Sequence, residues 1–146
     1  GVIGSACAWR LRQQHPELSV LLVEQFDFGH AQGSSHGHSR IIRRIYPEGD
    51  FYTEMLLDSY NLWAELEAEA GVSLLIQTGG IDFFPPEEKH VADKVIAACN
   101  RNNISYEVWT PEKTTLRHPL LTIPQGYTVL FDSQAGLLKA TKSVAA

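Results

Sequence analysis

The sequence predicts an α/β chain in which a nucleotide-binding unit gives way to a mixed α+β layer. Three features lead there: the opening Gly1-Val2-Ile3-Gly4, the apolar run from Leu18 to Val23 that ends in Glu24, and the basic, small-residue loop from Gly33 to Arg43. A dinucleotide turn reads strand, G-x-G-x-x-G, helix. Its first glycine makes the tight turn, its second lets backbone approach the pyrophosphate, and its third packs helix against strand. Residue 3 is Ile3, so Gly1 cannot be the first of the three, and Gly1 and Gly4 fit the second and third. The first glycine and the strand before it are expected upstream of residue 1, and the chain is expected to be a fragment.

The elements follow from local pattern. Ile3, Cys7 and Leu11 recur at spacing four and Gly4, Ser5, Ala6 and Ala8 are small, which predicts a closely packed helix that Pro16 stops. Leu18 to Val23 then reads as a buried parallel strand. Glu24 falls about 20 residues after Gly4, where an acid meets a ribose hydroxyl and disfavours a ribose phosphate, so FAD or NAD is favoured over NADP. Gln25 to Ser39, rich in glycine, histidine and serine, is a loop. Phe51 to Ala70 is the strongest helix, with Tyr52, Met55, Leu56, Leu62, Trp63 and Leu66 on one stripe and Glu54, Asp58, Glu65 and Glu69 opposite. Asp50 is its expected N-cap and Gly71 its expected stop, and Tyr52 and Trp63 are assigned to the core. Strands are predicted over Leu74–Gln77 and Ile81–Phe84, joined through Thr78-Gly79-Gly80. A helix follows over Glu87–Asn102, with Val91, Val95, Ile96 and Cys99 turned inward. Beyond it come a strand over Ile104–Trp109, a short helix over Pro111–Arg117, a strand over Tyr127–Phe131, a turn or strand at Gly136-Leu137-Leu138 and a helix from Ala140.

Composition limits the function classes. The 146 residues carry a formal charge of -5 and are 44% hydrophobic. That acidic balance argues against general nucleic-acid or anionic-membrane partners, which attract clustered positive charge. No apolar run approaches the roughly 18 residues of a membrane span, so the chain reads as soluble. Two cysteines, Cys7 and Cys99, make neither a disulfide framework nor a metal-finger spacing, and both are expected to be buried small hydrophobes of a reducing compartment.

The chemistry concentrates in Ser34-Ser35-His36-Gly37-His38-Ser39-Arg40-Ile41-Ile42-Arg43-Arg44. Small residues let backbone come close to a ligand, and hydroxyls add donors. Arg40 and Arg43 share a face in a helical turn and oppose each other in a strand. If the stretch is extended, one guanidinium can face a flavin and favour its anionic reduced ring, while the other clamps a substrate carboxylate with charge-assisted bonds of roughly 1.5–3 kcal/mol each. Three weaker readings compete. His30, His36 and His38 could bind a metal, but no Cys or close carboxylate completes a shell, so no metal is expected. The arginines could form an RNA patch, but no aromatics interleave them. They could also be structural cations paired to the many acidic side chains.

The blocks Glu24-Gln25-Phe26, Gly33-Ser34-Ser35-His36-Gly37 and Ser39-Arg40-Ile41-Ile42-Arg43 resemble the monomeric sarcosine oxidase and pipecolate oxidase family of flavin amine oxidases. Tyr46, Phe51-Tyr52, Leu62-Trp63, Glu67 and Gly71 continue the resemblance, and Asp132 to Lys142 looks most like the eukaryotic branch. It covers essentially the whole chain and about the N-terminal third of a family member. The resemblance implies a Rossmann-like FAD-binding unit, its first strand missing, over residues 1–72. Part of a mixed α+β substrate domain would occupy 73–135, and a return toward the FAD-binding domain 136–146. It implies FAD as cofactor and a secondary amine of an amino acid as substrate, oxidised with O2 to give H2O2. Gly1 and Gly4 would line the pyrophosphate and Glu24, followed by Gln25, would hold the adenosine ribose. Ser34, Ser35 and Ser39 would lie along the cofactor, Arg40 and His36 by the flavin ring, and Arg43 on the substrate carboxylate.

Two departures bear on substrate range: Ser35 stands where some relatives carry a second histidine, and His38 replaces an acid or neutral residue. The family's flavin-linking cysteine matches neither Cys7 nor Cys99, and its oxygen-activating lysine is expected beyond residue 146. The fragment alone is therefore expected to be inactive. A monomeric parent is implied, in the peroxisome if the eukaryotic likeness holds and otherwise cytoplasmic. Two other readings remain: a truncated, non-catalytic product that binds no flavin, and an NAD-dependent dehydrogenase, which offers no role for Arg40 and Arg43.

Overall fold

The computed structural model describes residues 1–46 and 50–146, and the side chains of Asp50, Phe51 and Thr53 lie outside that description. Helix α1 (Val2–Gln14) ends at His15 beside Pro16, as the sequence predicts. Strand β1 (Arg40–Ile42) is followed by helix α2 (Asp50–Ala70), β2 (Leu75–Gln77) and β3 (Gly80–Phe84). A 3-10 turn over Pro86–Glu88 leads into α3 (Lys89–Arg101), then β4 (Glu107–Trp109) and α4 (Pro111–Arg117). Strands β5 (Thr128–Asp132) and β6 (Gly136–Leu138) precede α5 (Ala140–Ala145). The predicted N-cap role of Asp50 lies outside the described residues. Gly71 does stop α2: it takes φ +65°, and Val72 N–H reaches back to Glu67 O at 3.3 Å.

The strands form two antiparallel three-stranded sheets, ordered β1-β6-β2 and β3-β5-β4. Consecutive strands β2 and β3 therefore enter different sheets, although the sequence shows them as neighbours. Gly79, at φ +74°, makes that turn possible. A Cβ there would also stand 2.7 Å from the Phe131 ring. Central strand β6 starts at Gly136, where a Cβ would lie 2.1 Å from Ile76 O, so no side chain fits between β6 and β2.

Alternation along β5 separates two cores. Leu130 faces α3 with Ile45, Phe84, Ala92, Val95, Cys99 and Ile104. Val129 faces the other way, with Trp109 and Ile123 against Ile81, Tyr127 and Phe131. Trp109 stacks on Phe131 with centroids 4.3 Å apart. Helix α4 is started by Thr110, whose hydroxyl accepts from Lys113 N–H at 3.1 Å, and by Pro111 in the first turn. Cys99 is buried as expected, and burial pushes its thiol up.

The N-terminal part departs from expectation. Leu18 to Val23 forms no strand, and Leu21 and Val23 are 85% and 80% exposed. No described strand lies alongside to complete a ladder, so the run has nothing to bury itself against. Cys7 is exposed rather than buried, and so is Ile3, because the stripe they share on α1 meets no partner layer among the described residues. Instead α1 meets α2 through polar groups: Trp9 Nε1–H and Gln13 Nε2–H donate to Glu69 at 2.8 and 2.7 Å, and Arg10 pairs with Glu65 at 2.8 Å. Exposed pairs of this kind contribute roughly 0–1 kcal/mol. Tyr52, assigned to the core, is 46% exposed and tilts against Tyr46.

Asp132, at the end of β5, joins the sheets. It is 1% exposed and accepts from Arg44 N–H and Gln134 N–H, both at 2.9 Å, and from Arg44 Nη2 at 3.3 Å. Replacing Asp132 with Ala leaves a largely buried guanidinium unpaired and is expected to cost about 3–5 kcal/mol in denaturant unfolding, with Asp132→Asn milder. Nearby, burial and the Asp132 carboxylate push the Tyr60 phenol up to about 12, and its hydroxyl donates to Gln134 O at 3.0 Å. A folded-state pKa above the unfolded one contributes stability that is complete below the unfolded value and lost as pH rises through the folded one. The alkaline loss of stability between about pH 10 and 12 should therefore be smaller in Tyr60→Phe than in the parent, measured as melting temperature against pH.

Candidate functional site

The loop after Gly33 is folded against the start of α1 by its own serine. Ser35 Oγ accepts the N–H of Val2 at 3.1 Å, across 33 residues of sequence, and a Cβ on Gly1 would lie 3.2 Å from that oxygen. Glycine at position 1 is what lets the loop come this close. The loop's shape is set by Arg40, which donates from Nε and Nη2 to Ser34 O at 3.0 and 2.5 Å and from Nη1 to Ser39 O at 2.7 Å. Its far side is tied to α5: Gly37, at φ +98°, donates its N–H to Thr141 Oγ1 at 3.0 Å and accepts the N–H of Thr141 at 3.2 Å. His36 Nδ1 lies 2.5 Å from Gly33 O, a bond that only an Nδ1–H can donate, so in the neutral ring Nε2 is left as an acceptor.

Two clefts meet at this loop, of about 200 and about 530 Å³, and share Gly1, Ser34, Ser35 and Val144. The first extends to Glu24, His30 and His36. The second extends past Gly4 to Arg40 and Trp63. The first turn of α1 thus opens on a small-residue, hydroxyl-bearing surface with a carboxylate at one end and a guanidinium at the other. Backbone N–H groups and the helix dipole make such a turn favourable for negative charge.

Glu24 is tightly held. Its Oε1 accepts the N–H groups of Gln25 and Phe26 at 2.7 and 3.2 Å, and its Oε2 lies 3.2 Å from His30 Nε2. The His30 hydrogen bond, followed by those from the Phe26 and Gln25 backbone, holds the carboxyl below its usual range. An anionic Glu24 accepts hydroxyl hydrogens and repels phosphate.

The structure brings Gly1, Gly4, Glu24, Ser34, Ser35, His36 and Arg40 around these joined clefts. The remaining three stand apart. Gln25 touches Glu24 through its backbone and lines a further open hollow over residues 25–32, which shares Phe28, Gly29 and His30 with the first cleft. Ser39 lines neither cleft and presents its carbonyl to Arg40. Arg43 is turned toward the second sheet, bonded to Asp82 and 5.3 Å from the Tyr46 ring centroid. Arg43 and Arg44 are thus both paired to acids, the latter with Asp132. Among the described residues, no three His, Cys, Asp or Glu side chains are grouped to hold a metal.

Trp63, Thr141 and His30 are among the lining residues that escaped the sequence reading of the site. Trp63 was assigned to the core because it lies on an apolar helical stripe. Thr141 reaches Gly37 across 104 residues and had no local signal. His30 was weighed only as a metal ligand. The turn that returns it to Glu24, through Asp27 O to His30 N–H at 3.1 Å with Gly29 at φ +79°, was marked by its Asp and Gly.

The sequence matches the FAD dependent oxidoreductase (DAO) family over residues 1–146. It is 36% identical to the peroxisomal sarcosine oxidase of Homo sapiens over 146 residues, all of this chain and 36% of that protein. It is 33% identical to the monomeric sarcosine oxidase of Bacillus sp. (strain B-0618) over 138 residues, 94% of this chain and 35% of that one. The chain thus spans about a third of the length of these relatives. In fold it resembles NikD, an unusual amino acid oxidase essential for nikkomycin biosynthesis. There the TM-score is 0.81 at 20% identity, over 99% of this chain and 37% of that one. With a whole-chain family match and a fold to go with it, the chain belongs to the FAD-dependent oxidoreductase family.

Proposed function

We propose that the chain is the N-terminal part of an FAD-dependent oxidase acting on a secondary amine of an amino acid, such as sarcosine or pipecolate. The carbon beside nitrogen would lose a hydride equivalent and the nitrogen a proton, leaving an imine, and the two together would reduce O2 to H2O2. The observation that carries this reading is the convergence of the α1 N-terminus, Ser34, Ser35 and Glu24 on one cleft that continues to Arg40. The lining fits FAD: a helix start suited to phosphate, a glycine whose Cβ would crowd Ser35, and a carboxylate suited to a ribose. Gly1, Gly4, Ser34, Ser35, Ser39 and Arg40 would hold the cofactor, with Glu24 and Gln25 at its ribose end. When bound, the flavin supplies the acceptor for two electrons.

The chain's own groups have distinct tasks in this reading. Arg40, fastened to two loop carbonyls, places fixed positive charge where reduction would build negative charge. His36 holds an acceptor at Nε2 and can take a proton there. Arg43 would exchange Asp82 for the substrate carboxylate. In the same reading residues 1–72 belong to the FAD-binding domain, 73–135 to the substrate domain and 136–146 to the return. The pairing of β6 with β1 supports that return, and β2 joins the same sheet. A peroxisomal address is proposed from the human relative.

The purified full-length protein is expected to carry FAD and to release H2O2 on addition of sarcosine or pipecolate in a peroxidase-coupled assay. NADH formation without peroxide would show the reading to be wrong. Arg43→Gln should lower kcat/KM for the amino acid about 10–100-fold, chiefly through KM, while flavin content stays at the parent's level.

A further inference from the structure

His30 lies at the nucleotide end of the first cleft, and its hydrogen bonds fix its tautomer. Gln32 N–H donates to His30 Nδ1 at 3.0 Å, so in the neutral ring the hydrogen sits on Nε2 and is donated to Glu24 Oε2 at 3.2 Å. The ring is held a second way by Phe26, its centroid 4.9 Å away at 56°. The His30 side chain is only 20% exposed. A carboxylate offers about four lone-pair sites. At Glu24, the Gln25 and Phe26 N–H groups use those of Oε1 and His30 uses one of Oε2. One hydrogen-bond acceptor site remains, on the oxygen that His30 orients and that lies 3.7 Å from Gly1 N, in a cleft shared with Gly1 and Ser34.

We propose that His30 is a positioning residue for nucleotide binding: it locks Glu24 so that Oε2 takes a single ribose hydroxyl, and so sets the site's preference for an unphosphorylated ribose. The two donors on Oε1 come from Glu24's immediate neighbours and move with it. His30, six residues away and anchored by Gln32 and Phe26, ties the carboxylate to an independent part of the loop. The proposal rests on the FAD reading of the cleft.

The test uses full-length protein produced under riboflavin limitation, with FAD, ADP, AMP and adenosine 2′,5′-bisphosphate titrated calorimetrically. His30→Asn keeps an acceptor for Gln32 N–H but falls short of Glu24, whereas His30→Gln restores the reach. His30→Asn should weaken FAD and ADP about tenfold, and His30→Gln should stay within about twofold of the parent. Glu24→Gln should weaken both, and adding His30→Asn to it should weaken them no further, because His30 acts through Glu24. The parent should bind the bisphosphate, which is AMP carrying a 2′-phosphate, less tightly than AMP, and His30→Asn should narrow that difference. Unchanged ADP affinity in His30→Asn, full additivity with Glu24→Gln, or equal binding of the bisphosphate and AMP by the parent would overturn the proposal. Failure of the parent itself to bind FAD or ADP would instead remove the reading beneath it. Melting temperatures of the flavin-free variants separate either result from misfolding.

Discussion

Asp132 is a carboxylate that water scarcely reaches, and the described structure is arranged around satisfying it. Its oxygens take two backbone N–H groups and the Arg44 guanidinium. Burying such a group without partners would be prohibitive, and the partners come from separate parts of the chain: the segment after β1 and the corner between β5 and β6. Satisfying one side chain therefore brings together segments that are 88 residues apart. Tyr60 of α2 closes over the same corner through Gln134.

That tie decides what β1 can offer to a ligand. Once Arg44 is committed to Asp132, the residues just before it have fixed directions. Arg40, at the other end of the short strand, folds back over the serine loop, and Arg43 reaches the second sheet. Three arginines within five positions thus have three different jobs, decided by which acceptor each meets. The serine loop inherits its order from both ends, from Arg40 on one side and Thr141 on the other. Its contact with the first turn of α1 is the outcome of those two restraints.

Much of this was legible in the sequence. Helices α2, α3 and α4 announced themselves by period and punctuation: Gly71 at one end, Pro111 at another, and Val95 and Cys99 on the buried stripe. The loop around Ser34 and Arg40 was legible because few structural demands call for small residues, hydroxyls and guanidinium together. Pairing between distant strands was not legible. Nothing near Gln77 says that the next strand joins another sheet, since that depends on Gly136 fitting against Ile76, far along the chain. Leu18 to Val23 shows the same limit from the other side. Its apolar pattern reads as a strand's, yet no strand forms there, because among the described residues no neighbour supplies the hydrogen bonds of a ladder. The resemblance named the candidate residues, and only the structure showed that Arg43 faces away from the cleft toward Asp82.

The chain passes between its two sheets twice, from β2 to β3 and from β5 to β6. Those passages run side by side, with Gly79 N–H bonded to Ala135 O at 2.9 Å. The Asp132 cluster sits at the same end, since Gly80 and Asp132 are register partners. Both covalent links thus occupy one corner, like two knuckles on a single pin. The sheet carrying Arg40 is also held to the sheet carrying Asp82 through Arg43 and the buried Ile45, which follow β1 onto the second sheet and into its core.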